Sequence, residues 1–510
     1  MASSWRVLYA LFILVRFACV LLPGYIHPDE FFQGGQELFF GRVQTWEWNK
    51  LNAARSIVPS LFMSWLPIQI ASISTARMMW IAPRLWMTCL SFTLDAVCWN
   101  LTFGNHQTML LLASAWPTLL FMTRPWTNSL ETIITALLLL LVNSESSSSS
   151  KGWSQNNNVL LGSLGAIGFW TRFTTAFYAF PLCVSKLWQT KSFLYTILSL
   201  ATGFLITGCS LVYADVVYYH GAFAWKHIPN TITPINIFLY NMDIKGNLAQ
   251  HGLHFQGLHT LVNIPMLFGI MGIWFYWDCW FGTTRNKLTG LCQWTIASGI
   301  FFLSCSPHQE PRFLLPCLVP FCILASRIPL TAWVLSLWIG SNALLGIFWG
   351  VLHQGQVTPS LLSLQTMDGA PVLYWRTYMP PTFLAQTCSR ETTVCTNIDI
   401  MDVKDRSSDA LLTMLNNLLH CDSSSNESSV IQLVTPTLSA SHDNLEFSSG
   451  GCHIPFYQCS LIRSHWPHVS TEDFPQWQGS LTHVWNELQL GVYSIKCIDV
   501  PLTAMESNIY

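Results

Sequence analysis

Long apolar segments separated by short polar ones occupy residues 1–352 of the chain. Their lengths approach the roughly 20 residues that an α-helix needs to cross a bilayer. The pattern therefore predicts an all-α polytopic membrane region. The predicted spans are 5–22, 78–99, 107–123, 128–143, 159–171, 173–188, 193–213, 258–278, 289–305, 312–326 and 328–352. Several are short for the hydrocarbon thickness, so we expect roughly nine to twelve transmembrane helices.

The first span is predicted to be an uncleaved signal anchor that starts in the cytosol, because Arg16 interrupts it and no small-x-small cleavage site follows. Alternation from there places a long loop, residues 23–77, and the tail after residue 353 on the lumenal side. The positive-inside rule agrees, because the predicted cytosolic loops are basic. Their basic residues are Lys151, Lys186, Lys191, Arg285, Lys287 and Arg327.

Residues 353–510 are polar, rich in Ser and Asn, and contain β-prone runs such as 430–434, which predicts a separate soluble domain. An even number of cysteines in this tail fits a disulfide set in an oxidising compartment. The tail cysteines are Cys388, Cys395, Cys421, Cys452, Cys459 and Cys497. The sequon at Asn426 predicts glycosylation there. Residues 144–158, a polar low-complexity stretch, are predicted to be a flexible connector.

Composition narrows the class further. Only 10% of the 510 residues are charged, against about 25% in soluble proteins. The net charge of −2 argues against a nucleic-acid-binding protein, which would show a basic face. A metal site formed by His251, His254 and His259 is conceivable, but no acidic ligand stands close in sequence, so we predict no metal.

The strongest candidate site is the sequence HPDEFFQ at residues 27–33, directly after the first span. Asp29 and Glu30 place two carboxylates at the membrane face, where either can act as a general base. The alternative is that they cap a short helix after Pro28, since acidic residues favour a helix N-terminus.

Two further motifs place charges between apolar spans. Arg124 precedes Asn128 and Glu131, which fall on one face of the next predicted helix. Arg124 can also be read as an arginine that snorkels to the interface. Arg172 has no nearby acid in sequence, so it needs a counter-anion, either a distant carboxylate or a ligand phosphate.

The last two motifs lie in polar loops between apolar spans. Residues 215–257 are dense in amides, tyrosines and histidines, which suit sugar hydroxyls. In residues 306–313, prolines enforce a turn, and His308 with Arg312 can form a phosphate clamp; a plain tight turn is the alternative. All five motifs fall on the lumenal side of the predicted topology, which favours one shared site.

These blocks resemble the glycosyltransferase family 22 mannosyltransferases of the endoplasmic reticulum membrane, which have the GT-C fold. The matching blocks are HPDEFFQ (27–33), the region 45–59, TRPWTNS (123–129), the loop 220–241 and PHQEPRFLLP (307–316). Within that family, the likeness is greatest to the enzymes that add the fourth, side-branch mannose to the glycosylphosphatidylinositol (GPI) precursor.

The resemblance implies an inverting α-1,2-mannosyltransferase that uses dolichyl phosphate mannose, a GPI glycolipid acceptor and no metal or nucleotide cofactor. Asp29 then maps to the base, with Glu30 as the second choice or as its orienter. The candidates for the donor phosphate are Arg312, Arg172, Arg124 and His308. The candidates for sugar contacts are His27, Gln33, Trp46, Asn128, Asn241, His251 and His254.

Other functions remain open from the sequence. The third-mannose GPI enzyme and the dolichol-linked N-glycan mannosyltransferases are close variants of the same chemistry. A lipid transporter or scramblase would predict inverted repeats, which the sequence does not display. A non-catalytic subunit of a lipid-processing complex would not need the intact acidic pair. The sequence predicts no particular protein partner.

Overall fold

A computed structural model describes most of the chain. The described residues are 4–71, 75–144, 151–242, 254–281, 286–364, 370–388, 395–403, 405–419, 430–437, 445–448, 451–471 and 481–497. His251 and Asn426 therefore lie outside the described residues. Four described helices have the length and hydropathy of a membrane span: Thr127–Ser144, Phe193–His220, His259–Tyr276 and Ala332–Leu352. The predicted membrane character is confirmed, while the predicted number of spans stays a prediction.

The chain divides into two compact units. The first comprises Met1–Leu21, Asp29–Ile73 and Trp80–Gly346, and the second comprises Leu22–Pro28, Ser74–Met79 and Ile347–Tyr510.

The first unit is helical, as the apolar periodicity predicts. Its helices are α1 (Ser4–Ala18), α2 (Asp29–Phe32), α3 (Gln36–Phe40), α4 (Ile57–Ile70), α5 (Ala76–Thr102), α6 (His106–Ser114), α7 (Trp116–Leu120), α8 (Thr127–Ser144), α9 (Lys151–Thr171), α10 (Thr175–Gln189), α11 (Phe193–His220), α12 (Ile228–Thr231), α13 (Thr233–Met242), α14 (Ile264–Phe281), α15 (Lys287–Ser304), α16 (Leu318–Ala325) and α17 (Ala332–Ile347). Short helices α2, α3 and α4 form the long first loop between α1 and α5.

Two expectations about these helices are wrong. The predicted single span 107–123 is broken at Ala115 into α6 and α7, because Pro117 cannot donate a helical hydrogen bond. The Oδ1 of Asn342 instead accepts the N–H of Trp116 at 2.7 Å, which satisfies the broken backbone. In the predicted flexible connector 144–158, residues 151–158 are helical and form the beginning of α9.

Close packing of α9 against α11 depends on two glycines. A Cβ added at Gly162 would overlap the carbonyl oxygen of Leu200, and one at Gly203 would overlap that of Val159. Small residues at such crossings let helix backbones approach closely.

Gly203→Ala should therefore lower the stability of the protein in detergent. The overlapped atom belongs to the backbone, so the two helices must separate, at a cost of about 1–3 kcal/mol. Gly340→Ala is the matched control, because nothing lies within 4 Å of a Cβ at that helical position. Thermal melts of the two variants should differ clearly; equal melting temperatures would contradict the predicted α9–α11 packing.

A buried ion pair joins α1 to α5. Arg16 contacts Asp95 at 2.6 Å between Nη1 and Oδ2, and the hydroxyl of Tyr9 donates to Asp95 Oδ1 at 2.7 Å. Arg16, which interrupts the first predicted span, is therefore neutralised within the helix bundle, as a charge buried among spans requires.

The second unit contains a mixed sheet. Its elements are α18 (Val357–Leu364), β1 (Val372–Trp375), β2 (Gln386–Cys388), β3 (Cys395–Asn397), β4 (Ile400–Val403), α19 (Ser408–Leu418), β5 (Val430–Pro436), β6 (Glu446–Ser448), β7 (Gly451–His453), β8 (Tyr457–His465), α20 (Leu481–Glu487) and β9 (Leu490–Cys497). The main sheet has the order β4-β1-β5-β9-β8, with β1 parallel to β4 and β5, and β9 antiparallel to β5 and β8.

The sheet encloses a core on the side of α19. Leu411 and Leu415 of that helix cluster with Leu373, Leu433 and Tyr493 of three strands. The β-prone run 430–434 lies in β5, as its composition predicts. Among the tail cysteines, Cys452 and Cys459 form a disulfide, and Cys388 stands opposite Cys395 in the β2–β3 register.

Candidate active site

Asp29 is the first residue of α2. The helix begins after Pro28, and its first turn contains Asp29 and Glu30. Acidic side chains stabilise a helix N-terminus. Its last turn closes when the backbone N–H groups of Gln33 and Gly34 donate to the carbonyl oxygen of Asp29, at 3.0 and 3.1 Å. Gly35 then turns the chain into α3 with a φ of 92°, a conformation that favours glycine. The cap alternative for the acidic pair is thus compatible with this local structure.

The Asp29 carboxylate is ion-paired and accessible. Its Oδ2 lies 2.5 Å from Nη1 of Arg312, and 16% of its side chain is exposed. Arg312 sits in the 3-10 turn Pro311–Cys317 that precedes α16, where two prolines hold the chain. Sequence-distant motifs at residues 29 and 312 therefore meet.

A second carboxylate shares the same arginine. Glu310 accepts a hydrogen bond from Nη2 of Arg312 at 2.8 Å and also contacts its Nε. His308 Nε2 lies 2.7 Å from Glu310 Oε1. Arg312 is thus matched by two carboxylates. The prediction that Arg312 and His308 clamp a phosphate directly stays a prediction; in this structure both side chains contact carboxylates of the protein.

Glu30 differs from Asp29 in its burial and in its arginine partners. Its side chain is fully buried and contacts Arg84 at 2.6 Å and Arg124 at 3.6 Å. This burial does not favour Glu30 as the second candidate base, and the prediction that Glu30 is the base or its orienter stays a prediction. Arg124 is equally buried and faces Glu30, so it neither snorkels nor offers its charge to a phosphate.

Glu131 and Arg172 form the third ion pair. Their atoms Oε2 and Nε lie 3.3 Å apart, the hydroxyl of Thr174 donates to Glu131 at 2.6 Å, and Arg172 Nη1 donates to Thr127 Oγ1 at 3.2 Å. Of the two counter-anions predicted for Arg172, the structure shows the distant carboxylate.

Burial lowers the pKa of Arg172 to about 10, although Glu131 acts in the opposite direction. The guanidinium therefore stays charged at neutral pH. Asp29, Arg55 and Arg312 all lie close enough to contribute to its electrostatic surroundings. The Arg172 side chain is 9% exposed.

Arg55 adds another cation that faces this cluster. It is held by Glu47 at 2.8 Å, and Gln33 donates to the same Glu47 oxygen at 3.2 Å. Its backbone carbonyl accepts the hydroxyl of Tyr219 at 2.7 Å. Just beyond it, Asp215 of α11 accepts hydrogen bonds from Ser56 and Ile57, both at 2.9 Å.

Of two predicted sugar contacts in the first loop, Trp46 is accessible and Gln33 is hydrogen-bonded within the protein. Trp46 is 46% exposed and stacks on Tyr240 with ring centroids 4.1 Å apart, so an aromatic face stands open beside the first loop. Gln33 is instead engaged by Glu47.

The remaining predicted sugar contacts are less accessible. Asn128 is fully buried, and Asn241 donates to the carbonyl of Ile237 in its own helix at 2.7 Å. His254 Nδ1 accepts the backbone N–H of Gln309 at 2.9 Å, so it supports the turn that contains Glu310 and Arg312. His27 belongs to the second unit, where its ring lies 6.0 Å from that of Tyr378.

Within the described ranges, no group of three or more His, Cys, Asp or Glu side chains is arranged to hold a metal ion. The histidines 254 and 259 that the sequence offered as ligands instead make hydrogen bonds: His259 Nδ1 lies 3.0 Å from Asn263 Nδ2.

The contacts join all five motifs into one constellation. Asp29 reaches the fifth motif through Arg312, and its neighbour Glu30 reaches the second through Arg124. Glu131 ties the second motif to the third, and Asp215 ties the fourth to the first loop. The partly exposed members of this constellation are the carboxylates of Asp29 and Glu310, guanidinium groups and an aromatic ring, which is a set suited to a sugar phosphate.

The sequence pattern of the Alg9-like mannosyltransferase family matches residues 7–390. The chain belongs to this family. It is therefore a glycosyltransferase, as the sequence motifs predict.

Individual members of the family are similar over most of their length. The chain is 32% identical over 455 residues to GPI mannosyltransferase 4 of Emericella nidulans, covering 81% of this chain and 82% of the relative. It is 29% identical over 450 residues to human GPI alpha-1,2-mannosyltransferase 4, covering 74% and 76%.

Among solved structures, the fold is similar to ArnT from Cupriavidus metallidurans. The apo structure superposes with a TM-score of 0.52 at 13% identity, covering 86% of this chain and 95% of ArnT. The structure of ArnT bound to undecaprenyl phosphate gives a TM-score of 0.51 at 12% identity, covering 86% and 94%. At this identity the likeness concerns the fold alone, and it confirms the predicted GT-C architecture.

Sequence reasoning gave no role to four charged residues of this candidate site. Arg84 lies inside the predicted span 78–99, and a lone arginine there was a signal for a buried acid partner. Glu310 stood within the fifth motif but was not singled out. Glu47 and Arg55 lie eight residues apart in the first loop, and only the folded loop pairs them.

Proposed function

We propose that this protein transfers mannose from dolichyl phosphate mannose to the third mannose of a GPI precursor, forming the fourth, α-1,2-linked mannose. Support for the acceptor comes from the relatives, which are named GPI mannosyltransferase 4 in fungi and GPI alpha-1,2-mannosyltransferase 4 in human. Support for the chemistry comes from the accessible Asp29 carboxylate beside the guanidinium groups of Arg312 and Arg172.

The proposed step is a single displacement at the anomeric carbon of the donor. The acceptor hydroxyl oxygen bonds to that carbon while its bond to the phosphate oxygen breaks, and the electron pair leaves with dolichyl phosphate. The hydroxyl proton passes to a carboxylate. Inversion converts the β-linked donor into an α-linked product, and no nucleophile from the protein is needed.

Asp29 is the base in this proposal. The proposal rests on the accessibility and the fixed orientation of its carboxylate. It is the described carboxylate that combines access, a position directly after the first membrane helix and a fixed orientation through Arg312. A positioned carboxylate that takes the proton in the transition state accelerates such steps by about 10²–10⁴-fold. Its neighbour Glu30 is buried and serves to hold the loop.

Arg172 and Arg55 are the proposed partners of the donor phosphate. Each guanidinium is paired with one carboxylate, and each side chain keeps a partly exposed edge. A preorganised cation stabilises charge that develops on a leaving phosphate. The same fold in ArnT has been captured with undecaprenyl phosphate, a lipid phosphate, which supports a lipid-linked donor here.

We further propose that the site faces the lumen of the endoplasmic reticulum. The support is the Cys452–Cys459 disulfide of the second unit, since disulfides persist in oxidising compartments. The alternation of spans from a cytosolic start assigns the HPDEFFQ loop to the same side of the membrane as that unit's tail.

Two measurements test this function. Cells that lack the chain should accumulate a GPI precursor with three mannoses, detected by mass analysis of the precursor glycolipids. The purified protein should add one mannose to that precursor when supplied with dolichyl phosphate mannose.

The control donor is nucleotide-activated mannose, which should give no transfer. Accumulation of a two-mannose precursor would instead assign the third step. Transfer from the nucleotide sugar at the same rate would contradict the lipid-linked donor.

A further inference from the structure

Arg312 is gripped more extensively by Glu310 than by Asp29. Glu310 uses both carboxylate oxygens, one against Nη2 at 2.8 Å and the other against Nε, while Oδ2 of Asp29 contacts Nη1. Paired contacts of this kind fix a guanidinium in orientation as well as position. Glu310 is also 18% exposed, and His308 braces it from the other side at 2.7 Å.

The sharing of Arg312 between Glu310 and Asp29 affects how easily Asp29 can take up and release a proton. When Asp29 takes the acceptor proton, its carboxylate becomes neutral and no longer balances Arg312. The Arg312 side chain is only 7% exposed. Leaving a buried charge without a partner is strongly unfavourable. A second carboxylate that stays ionised throughout removes that penalty.

We propose that Glu310 is a positioning residue that holds Arg312 in place and balances its charge while Asp29 gains and releases the acceptor proton. This inference rests on the proposed function, in which Asp29 is the base. It assigns to the fifth motif a role in tuning the base, in place of direct contact with the donor phosphate. His308 acts through Glu310, by holding the carboxylate toward Arg312.

Charged and titratable groups from several elements face this pair. On its own turn, Glu310 faces His308 and Arg312. From α2 comes Asp29, and from the turn before α10 comes Arg172. From the segment before α14, the ring of His254 lies 5.0 Å from that of His308, and His259 senses the charge of Glu310.

The experiment is the pH–rate profile of Glu310→Gln, measured as mannosyl transfer by the purified protein. With the negative charge removed, Arg312 is shared no longer and acts wholly on Asp29. That favours the ionised carboxylate, so Asp29 takes a proton only at lower pH. We expect the acid limb to move down by about one pH unit and the plateau rate to fall by about 3–10-fold, because the base is weaker.

Glu310→Asp and Glu446→Gln complete the experiment. Glu310→Asp keeps the charge but shortens the reach, so it should lower the rate while the acid limb stays near that of wild type. Glu446 is an exposed carboxylate of β6 in the second unit, and its neutralisation should change neither quantity. If Glu310→Gln does not yield folded protein, His308→Asn decides: it loosens the Glu310 carboxylate from Arg312, so the acid limb should still move down, and an unmoved limb would overturn the inference.

The outcomes separate this inference from the function beneath it. If the wild-type protein transfers no mannose, the proposed function itself fails. If wild type transfers mannose while Glu310→Gln loses rate with an unmoved acid limb, the function stands and Glu310 is merely structural. A variant that keeps the wild-type rate and limb would overturn the inference as well.

Discussion

Asp29→Asn should lower mannosyl transfer by about 10²–10⁴-fold, the range that a general base contributes. The amide has nearly the same shape but cannot take the acceptor proton. The protein should still fold, because Asp29 is partly exposed and Arg312 keeps Glu310 as its partner. Initial rates with dolichyl phosphate mannose and a three-mannose acceptor measure the loss, and the yield of monodisperse protein measures the fold.

Asp409→Asn is the matched control for this substitution. Asp409 is an exposed carboxylate in the first turn of α19, so the same chemical change there should leave transfer unchanged. Near-normal turnover by Asp29→Asn would mean that another group removes the proton. A large loss of both activity and folded protein would instead mean that Asp29 is structural.

The sequence predicted the helices well because each span is encoded by its own residues. The apolar run 193–213 lies in α11, and 289–305 lies almost entirely in α15, since local hydrophobicity decides both. The breaks were harder to predict. Pro117 divides α6 from α7 only because Asn342, distant in sequence, satisfies the freed backbone.

In the candidate site, too, the sequence predicted what is encoded locally and did not predict the contacts between distant residues. Asp29 stood out because its motif is continuous and lies beside a span. The division of labour between Asp29 and Glu30 did not, because it depends on which arginines approach from other helices. Likewise the sequence predicted a counter-anion for Arg172, but only the fold identifies Glu131 as that anion.

Glu30→Gln should differ from Asp29→Asn by strongly lowering the stability of the folded protein. Glu30 is fully buried between Arg84 and Arg124, so the amide leaves two buried cations without a counter-charge. Breaking a buried pair by removing one partner costs about 3–5 kcal/mol. Thermal melts in detergent and the yield of folded protein should both fall well below those of Asp29→Asn.

A second substitution separates lost pairing from a general intolerance of the site. Glu30→Gln with Arg84→Gln removes one of the stranded cations, so the double variant should be more stable than Glu30→Gln alone. Independent sites would instead add their losses. If the losses add, the ion pair is not what holds the HPDEFFQ loop against α5. If the double variant recovers, then one carboxylate of the adjacent pair fixes the loop, and the other is left available to react.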